Sequence, residues 1–161
     1  MTRTGATDSG LRPVCREIPH GSAAYARTVA LREEILRRPL GLRFSPAELA
    51  GEADSLHLVC EWNGGIVGCL VLQPLGEGKV RLRQMAVRAD CRGRGFGSGL
   101  VVFAEGVARR RGYRRLVLHA RATAVGFYER LGYCVEGPEF CEVTIPHYAM
   151  GKSLGGEREP A

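Results

Sequence analysis

At 161 residues and 45% hydrophobic, the chain suits one domain around one core, and no apolar run approaches the roughly 20 residues needed to cross a bilayer. Its net charge of +6 is carried almost entirely by arginine and raises a nucleic-acid partner, but the distribution of that charge matters more than its sum. The polar segment from Met1 to Gly10 lacks the basic-then-apolar form of a signal peptide, so a cytoplasmic location is expected, and six cysteines without a Cys-x-x-Cys pair or a nearby histidine pattern read as reduced thiols, not as disulfides or metal ligands.

In chain order, residues 13–18 read as a first strand, and residues 23–37 carry apolar positions at helical spacing that Pro39 is expected to stop. Ser45 can cap a short helix with Pro46 at its first position. Residues 56–62 and 66–72 read as strands joined at Asn63-Gly64, a strong hairpin turn, and residues 79–87 alternate as a third strand of that meander. The period then becomes helical from Gly95 through Leu100, Val101, Ala104 and Val107 to a Gly112 cap. Residues 116–118 form a short buried strand, residues 123–131 a helix capped by Thr123, and Val135 with residues 143–150 the last strand or strands. Residues 1–11 and 153–161 are expected to be flexible ends. Antiparallel strands followed by a strand-helix-strand crossover make a mixed, mostly antiparallel α/β sheet flanked by helices, a layout that binds ligands where neighbouring strands diverge.

The segment Arg92-Gly93-Arg94-Gly95-Phe96-Gly97 lies between the strand ending at Val87 and the long helix. A glycine-rich turn that opens a helix leaves backbone N–H groups without intrahelical partners, backed by the positive end of the helix dipole, and so forms an anion cradle. Arg92 and Arg94 add side-chain donors suited to phosphate. The spacing lacks the Lys-Ser/Thr pair of an NTPase phosphate loop, and no acidic residue closes a following strand as a dinucleotide fold requires.

The segment instead resembles the acyl-coenzyme A signature of the GNAT superfamily of N-acetyltransferases, Arg/Gln-x-x-Gly-x-Gly/Ala. Phe127-Tyr128-Glu129-Arg130-Leu131-Gly132-Tyr133, with Ala124 upstream, is similar to the superfamily's second landmark, at a fitting interval from Gly97. Glu139-Phe140-Cys141-Glu142 followed by Ile145-Pro146-His147-Tyr148-Ala149-Met150 resembles the closing strand of the small ElaA-like and glucosamine-phosphate-acetyltransferase-like members, and the segment from Leu31 to Gly41 looks like this group too. The resemblance spans residues 12–152, a single GNAT domain. It implies a V-shaped splay between two central strands, the one ending at Val87 and the one at residues 116–119, with the pantetheine arm in the gap.

The resemblance implies acetyl-CoA as cosubstrate, no metal, and transfer of the acetyl group to a primary amine by direct attack on the thioester. That reaction needs a neutral amine, a donor for the developing oxyanion and a proton for the departing thiolate. Backbone groups of Met85, Ala86 and Val87 are implied to hold the pantetheine and acetyl oxygen. Arg92, Gly93, Arg94, Gly95, Phe96, Gly97 and Ser98 are implied to hold the diphosphate, and Phe127 and Tyr128 to line the coenzyme. Arg121 stands where many relatives have an asparagine, so a cation there contacts a phosphate or faces water. Tyr128 is the candidate acid, against a reading as a core aromatic. The base stays open between Glu142 and His147, with His119 at the end of a strand but outside the motifs.

The acceptor stays open: small amines, amino sugars, antibiotic-like molecules and protein amino groups all suit the reaction, small molecules being favoured, with the chain a monomer or homodimer. Arg109-Arg110-Arg111 and Arg114-Arg115 read chiefly as helix-end cations, and no nucleic acid is expected. A coenzyme-binding sensor without transfer activity, or a basic nucleic-acid-binding protein, are the rival classes. An acyl-cysteine route through Cys91 or Cys134 lacks an activating histidine in the sequence.

Overall fold

The computed structural model describes residues 12–155. Asn63 and Gly64 take φ of 55° and 80°, the paired positive dihedrals of a type I′ turn, and this folds strand β2 (Leu56–Trp62) back onto β3 (Gly65–Gly76). Glu77 and Gly78 do the same, at 57° and 77°, between β3 and β4 (Lys79–Val87). Together with β1 (Val14–Ile18), these strands form the meander that the sequence led us to expect.

The helices follow their caps. The Ser22 side chain accepts from the Tyr25 amide at 3.1 Å and starts α1 (Ala23–Arg32). The expected continuation to Arg37 is not regular helix: Glu33–Arg37 widens into a π turn and Arg38–Leu40 tightens into a 3-10 turn closed by Gly41 at φ 73°. Pro39 lies inside that last turn, where it has no amide to continue the ladder. Helix α2 (Pro46–Ala50) has the reciprocal capping box of Ser45 and Glu48, with bonds of 3.1 and 2.9 Å. Helix α3 (Phe96–Arg110) ends as a Schellman motif, in which Gly112 at φ 87° donates to the Arg109 carbonyl and Tyr113 to the Ala108 carbonyl, both at 3.0 Å.

Strand β5 (Arg115–Arg121) is longer than the three residues expected. Thr123 is not a cap: it lies within a 3-10 turn, Ala122–Ala124, which leads into α4 (Val125–Arg130) without a side-chain cap. Helix α4 ends on Gly132 at φ 98°, with the Tyr133 amide donating to the Tyr128 carbonyl at 3.1 Å. The remaining strands are β6 (Cys134–Val135), β7 (Phe140–Glu142) and β8 (Ile145–Ser153). Ser153 and Leu154, expected among the flexible ends, belong to the fold: Leu154 is 1% exposed and its carbonyl accepts from Arg109 Nε at 3.1 Å. The expectation for residues 1–11 and 156–161 lies outside the described residues.

The eight strands form one sheet in the order β1-β2-β3-β4-β5-β8-β6, with β7 paired to β8. Strands β4 and β5 run parallel, while β1–β2, β5–β8, β6–β8 and β7–β8 are antiparallel. The β4–β5 register runs from Lys79 opposite Arg115 to Leu82 opposite Leu118.

Contacts group the chain into two units: Met1–Val71 with Gln84–Phe103, and Leu72–Arg83 with Ala104–Ala161. In the first, Ile18, Ala24, Tyr25, Leu31, Val59, Cys69 and Ala86 form a buried cluster. In the second, Leu72, Leu116, Leu118, Met150 and Leu154 are the largest fully buried apolar side chains. No helix among the described residues is long and apolar enough to cross a membrane.

Strands β7 and β8 meet in a two-residue turn, Val143-Thr144, at φ 51° and 61°. Both residues are β-branched, and each costs on the order of 1–3 kcal/mol in this left-handed region. The expected last strand or strands, residues 143–150, included this pair, which forms the turn before β8 instead. Replacing the pair by Asn-Gly (Val143→Asn with Thr144→Gly) is expected to raise the free energy of unfolding by about 1–2 kcal/mol, read as a higher urea midpoint at constant m-value. A lower midpoint would show that the turn is not strained.

Candidate active site

In the first unit, the approach to the glycine turn is braced by polar contacts. The Arg88 amide donates to the Val67 carbonyl at 2.8 Å, and its guanidinium forks onto Asp90 at 3.0 and 2.8 Å. That hydrogen bonding pushes the Asp90 carboxyl down to about 2. Ahead of it, Gln84 takes φ 56°, a left-handed value typical of a bulge, and its Oε1 is buried without a hydrogen-bond partner among the described residues. Met85, Ala86 and Val87 follow, with Ala86 2% exposed.

Gly93 and Gly95 take φ of 79° and 84°, so the chain can reverse into α3 only with residues that tolerate the left-handed region. A Cβ at Gly93, Gly95 or Gly99 would meet nothing within 4 Å, so the turn and the first helical turn border open space. The Gly99 amide donates the first intrahelical bond, to Gly95 at 3.0 Å, which leaves the amides of Phe96, Gly97 and Ser98 ahead of the ladder. Phe96 is 7% exposed and packs its ring 5.3 Å from that of Trp62. The Arg94 guanidinium lies 5.0 Å above the Trp62 ring, and Arg92 is exposed. The turn that the sequence reading expects to cradle an anion thus gains Trp62 as a brace that no spacing rule marks.

In the second unit, Phe127 and Tyr128 meet edge to face at 4.9 Å, and Tyr128 is 8% exposed. Burial pushes the Tyr128 phenol up to about 12, so it keeps its proton at neutral pH. Tyr133 donates to Glu105 at 2.8 Å, and Lys152 Nζ reaches both oxygens of that carboxylate at 3.1 Å and the Leu131 carbonyl at 2.8 Å. Arg121 ends β5, half-buried, opposite His147 in the register.

The closing hairpin brings together groups that the sequence left apart. Glu142 Oε1 lies 2.8 Å from His119 Nδ1, and Arg81 Nη2 lies 2.7 Å from the same nitrogen. Burial raises the Glu142 carboxyl, but the hydrogen bond to His119 and the charges of His119, His147 and Arg81 outweigh it and leave it below the usual carboxylate range. His147, 7% exposed, donates from Nδ1 to the Ile145 carbonyl at 2.7 Å. Phe140 packs edge-on against His119 at 5.0 Å and stacks on His147 at 6.0 Å. Sequence reasoning missed Arg81 and gave His119 little weight. Alternation puts both on one side of β4 and β5, but only the parallel register makes them neighbours. No group of three or more His, Cys, Asp or Glu among the described residues could hold a metal ion.

The acetyltransferase (GNAT) family model matches residues 24–133. The chain is 33% identical to YyaT of Bacillus subtilis over 117 residues, 68% of this chain and 77% of that one. It superposes on Escherichia coli ElaA with a TM-score of 0.76 at 17% identity, covering 88% of this chain and 99% of that one. It also superposes on a GNAT family acetyltransferase from Elizabethkingia anophelis with acetyl-CoA bound, at a TM-score of 0.68 and 16% identity over 88% and 97% of the two chains. Two-thirds of the sequence thus lies within the family model, and the mixed sheet is that of its neighbours: the chain belongs to the acetyltransferase (GNAT) family and is an acetyl-CoA-dependent N-acetyltransferase.

Proposed function

We propose that the chain moves the acetyl group of acetyl-CoA to a primary amine of a small molecule by direct attack on the thioester. The observation that carries this reading is the turn at residues 92–97, with left-handed glycines beside open space and helix-start amides outside the ladder. That combination suits an anion as large as a diphosphate. The acetyl-CoA bound to the Elizabethkingia anophelis neighbour supports the same assignment.

In this reading Arg92, Gly93, Arg94, Gly95, Phe96, Gly97 and Ser98 hold the diphosphate, and Arg121 meets a phosphate. Amides of Met85, Ala86 and Val87 receive the pantetheine and the developing oxyanion, where one well-aimed donor is worth about 3 kcal/mol. Glu142, ionised at neutral pH, draws in the ammonium form of the acceptor, and the Glu142–His119 pair takes its proton. The neutral amine attacks the thioester carbonyl, and Tyr128 protonates the departing thiolate. The Tyr128 phenol suits that role because burial keeps it protonated.

Tyr128→Phe is expected to lower kcat by about 10²-fold to 10⁴-fold in a thiol-release assay over an amine panel, with little change in the dissociation constant for acetyl-CoA. An unchanged kcat would remove Tyr128 from the mechanism. If acetyl-CoA stabilised the wild-type chain but no amine released thiol, the sensor reading would replace this one.

Glu142→Gln and His119→Ala are each expected to lower kcat/KM by at least about 10-fold, and the double variant no further, because groups acting as a unit are not additive. Fully additive losses would separate the two residues. The pair also leaves a mark on stability. The Glu142 carboxyl is depressed in the fold, so its contribution is present above the ordinary carboxylate value of 4.5 and is lost as pH falls through the lower folded value. The Tm gap between wild type and Glu142→Gln is therefore expected to hold near neutrality and to shrink below that value, as followed by thermal denaturation across pH.

A further inference from the structure

Cys15 and Cys60 stand directly opposite each other in the antiparallel β1–β2 register. Such partners have Cα atoms about 4.5–5.5 Å apart, inside the range that a disulfide spans. As directly opposed residues they project to the same face of the sheet. Strand β1 is the first strand of the sheet order, and Cys15 is half-buried there, while Cys60 is 1% exposed. One thiol is thus reachable from solvent and its partner is shielded behind it.

We propose that Cys15 and Cys60 form a peroxide-responsive thiol pair that closes to a disulfide between β1 and β2. The two thiols are chemically unlike. Donation from Cys60 holds the Cys15 thiol below its ordinary value, whereas the same bond, together with burial, holds Cys60 protonated. The outer sulfur is therefore the one that ionises more readily, and the inner one keeps its proton. In the first step Cys15 gives up its proton and the thiolate attacks hydrogen peroxide, forming Cys15–SOH and releasing hydroxide, which the proton converts to water. In the second step the Cys60 sulfur attacks the sulfenic sulfur, an S–S bond forms and water leaves. Two thiols and one hydrogen peroxide yield one disulfide and two waters.

The pair belongs to the first unit, as does Cys91, whose sulfur is close enough to Cys60 to raise its thiol further and which immediately precedes Arg92 of the anion cradle. Cys91 is itself 2% exposed and bonded to Asp90 at 3.5 Å, so it is shielded from the oxidant. The disulfide would join strands that are already paired, and the reaction requires no acetyl-CoA.

The test treats the full chain with hydrogen peroxide, blocks free thiols with N-ethylmaleimide and maps peptides by mass spectrometry without reduction. The expected result is one intramolecular Cys15–Cys60 peptide, a loss of two of the six free thiols, a Tm higher by several degrees, and full reversal by dithiothreitol. Cys15→Ser, at the more exposed position, is expected to abolish the linked peptide while leaving Cys60 alkylatable after unfolding. Cys60→Ala is expected to leave a dimedone-reactive Cys15. A disulfide through Cys91, a linkage between chains, or oxidation confined to the exposed Cys134 and Cys141 would each overturn the proposal.

Discussion

The backbone reversal between β4 and α3 is the constraint on which the functional reading depends. Residues 93 and 95 must sit at φ near 80°, where an L side chain costs on the order of 1–2 kcal/mol at each position, and glycine removes that cost. The reversal aims the first amides of a 15-residue helix away from its own ladder, with the dipole behind them. Side chains then fix the turn in place. The Arg88–Asp90 fork holds the approach, and the Trp62–Phe96 contact holds the start of the helix. Arg94 lies over the Trp62 ring, which holds its charge at the turn.

Each unit also carries a buried polar anchor. In the first, Arg32 is 0% exposed and binds Glu52 at 2.8 and 2.9 Å, Tyr25 donates to the same carboxylate at 2.8 Å, and His57 donates from Nε2 to the Glu52 carbonyl at 2.9 Å. Burial opposes the Arg32 charge, but Glu52 more than restores it, while burial keeps His57 neutral. In the second unit, Glu105 plays the part of Glu52, with Tyr133 and Lys152 as its partners. Pairs of this kind add little net stability, yet removing one partner strands a charge, so they fix which segments pack together.

Local signals account for what the sequence made legible. Asn63-Gly64, the Ser45 capping box, Gly112 and the glycine turn are short-range codes, and the structure places each where its chemistry demands. The misreadings arise where long-range packing decides. The α1 periodicity runs on through Arg37, yet the backbone widens into a π turn there. Val143 has strand propensity but occupies a turn, because β7 and β8 leave only two residues to connect them. The Arg81–His119–Glu142 contact was invisible, since three strands supply it and only the register brings them together. The cross-strand facing of Cys15 and Cys60 has the same origin.

The proposed acid and base are tuned in opposite directions by opposite environments. A proton donor to a thiolate must arrive protonated, and burial moves the Tyr128 phenol still further from ionising at neutral pH. A proton acceptor must arrive empty, and Glu142 meets that need by staying 40% exposed in its side chain and by facing His119 and Arg81. His119 adds a further constraint. Its Nδ1 lies within hydrogen-bond distance of Arg81, which only donates, and of Glu142, which as a carboxylate only accepts. One nitrogen cannot serve both at once: without a proton it accepts from Arg81, and with one it donates to Glu142.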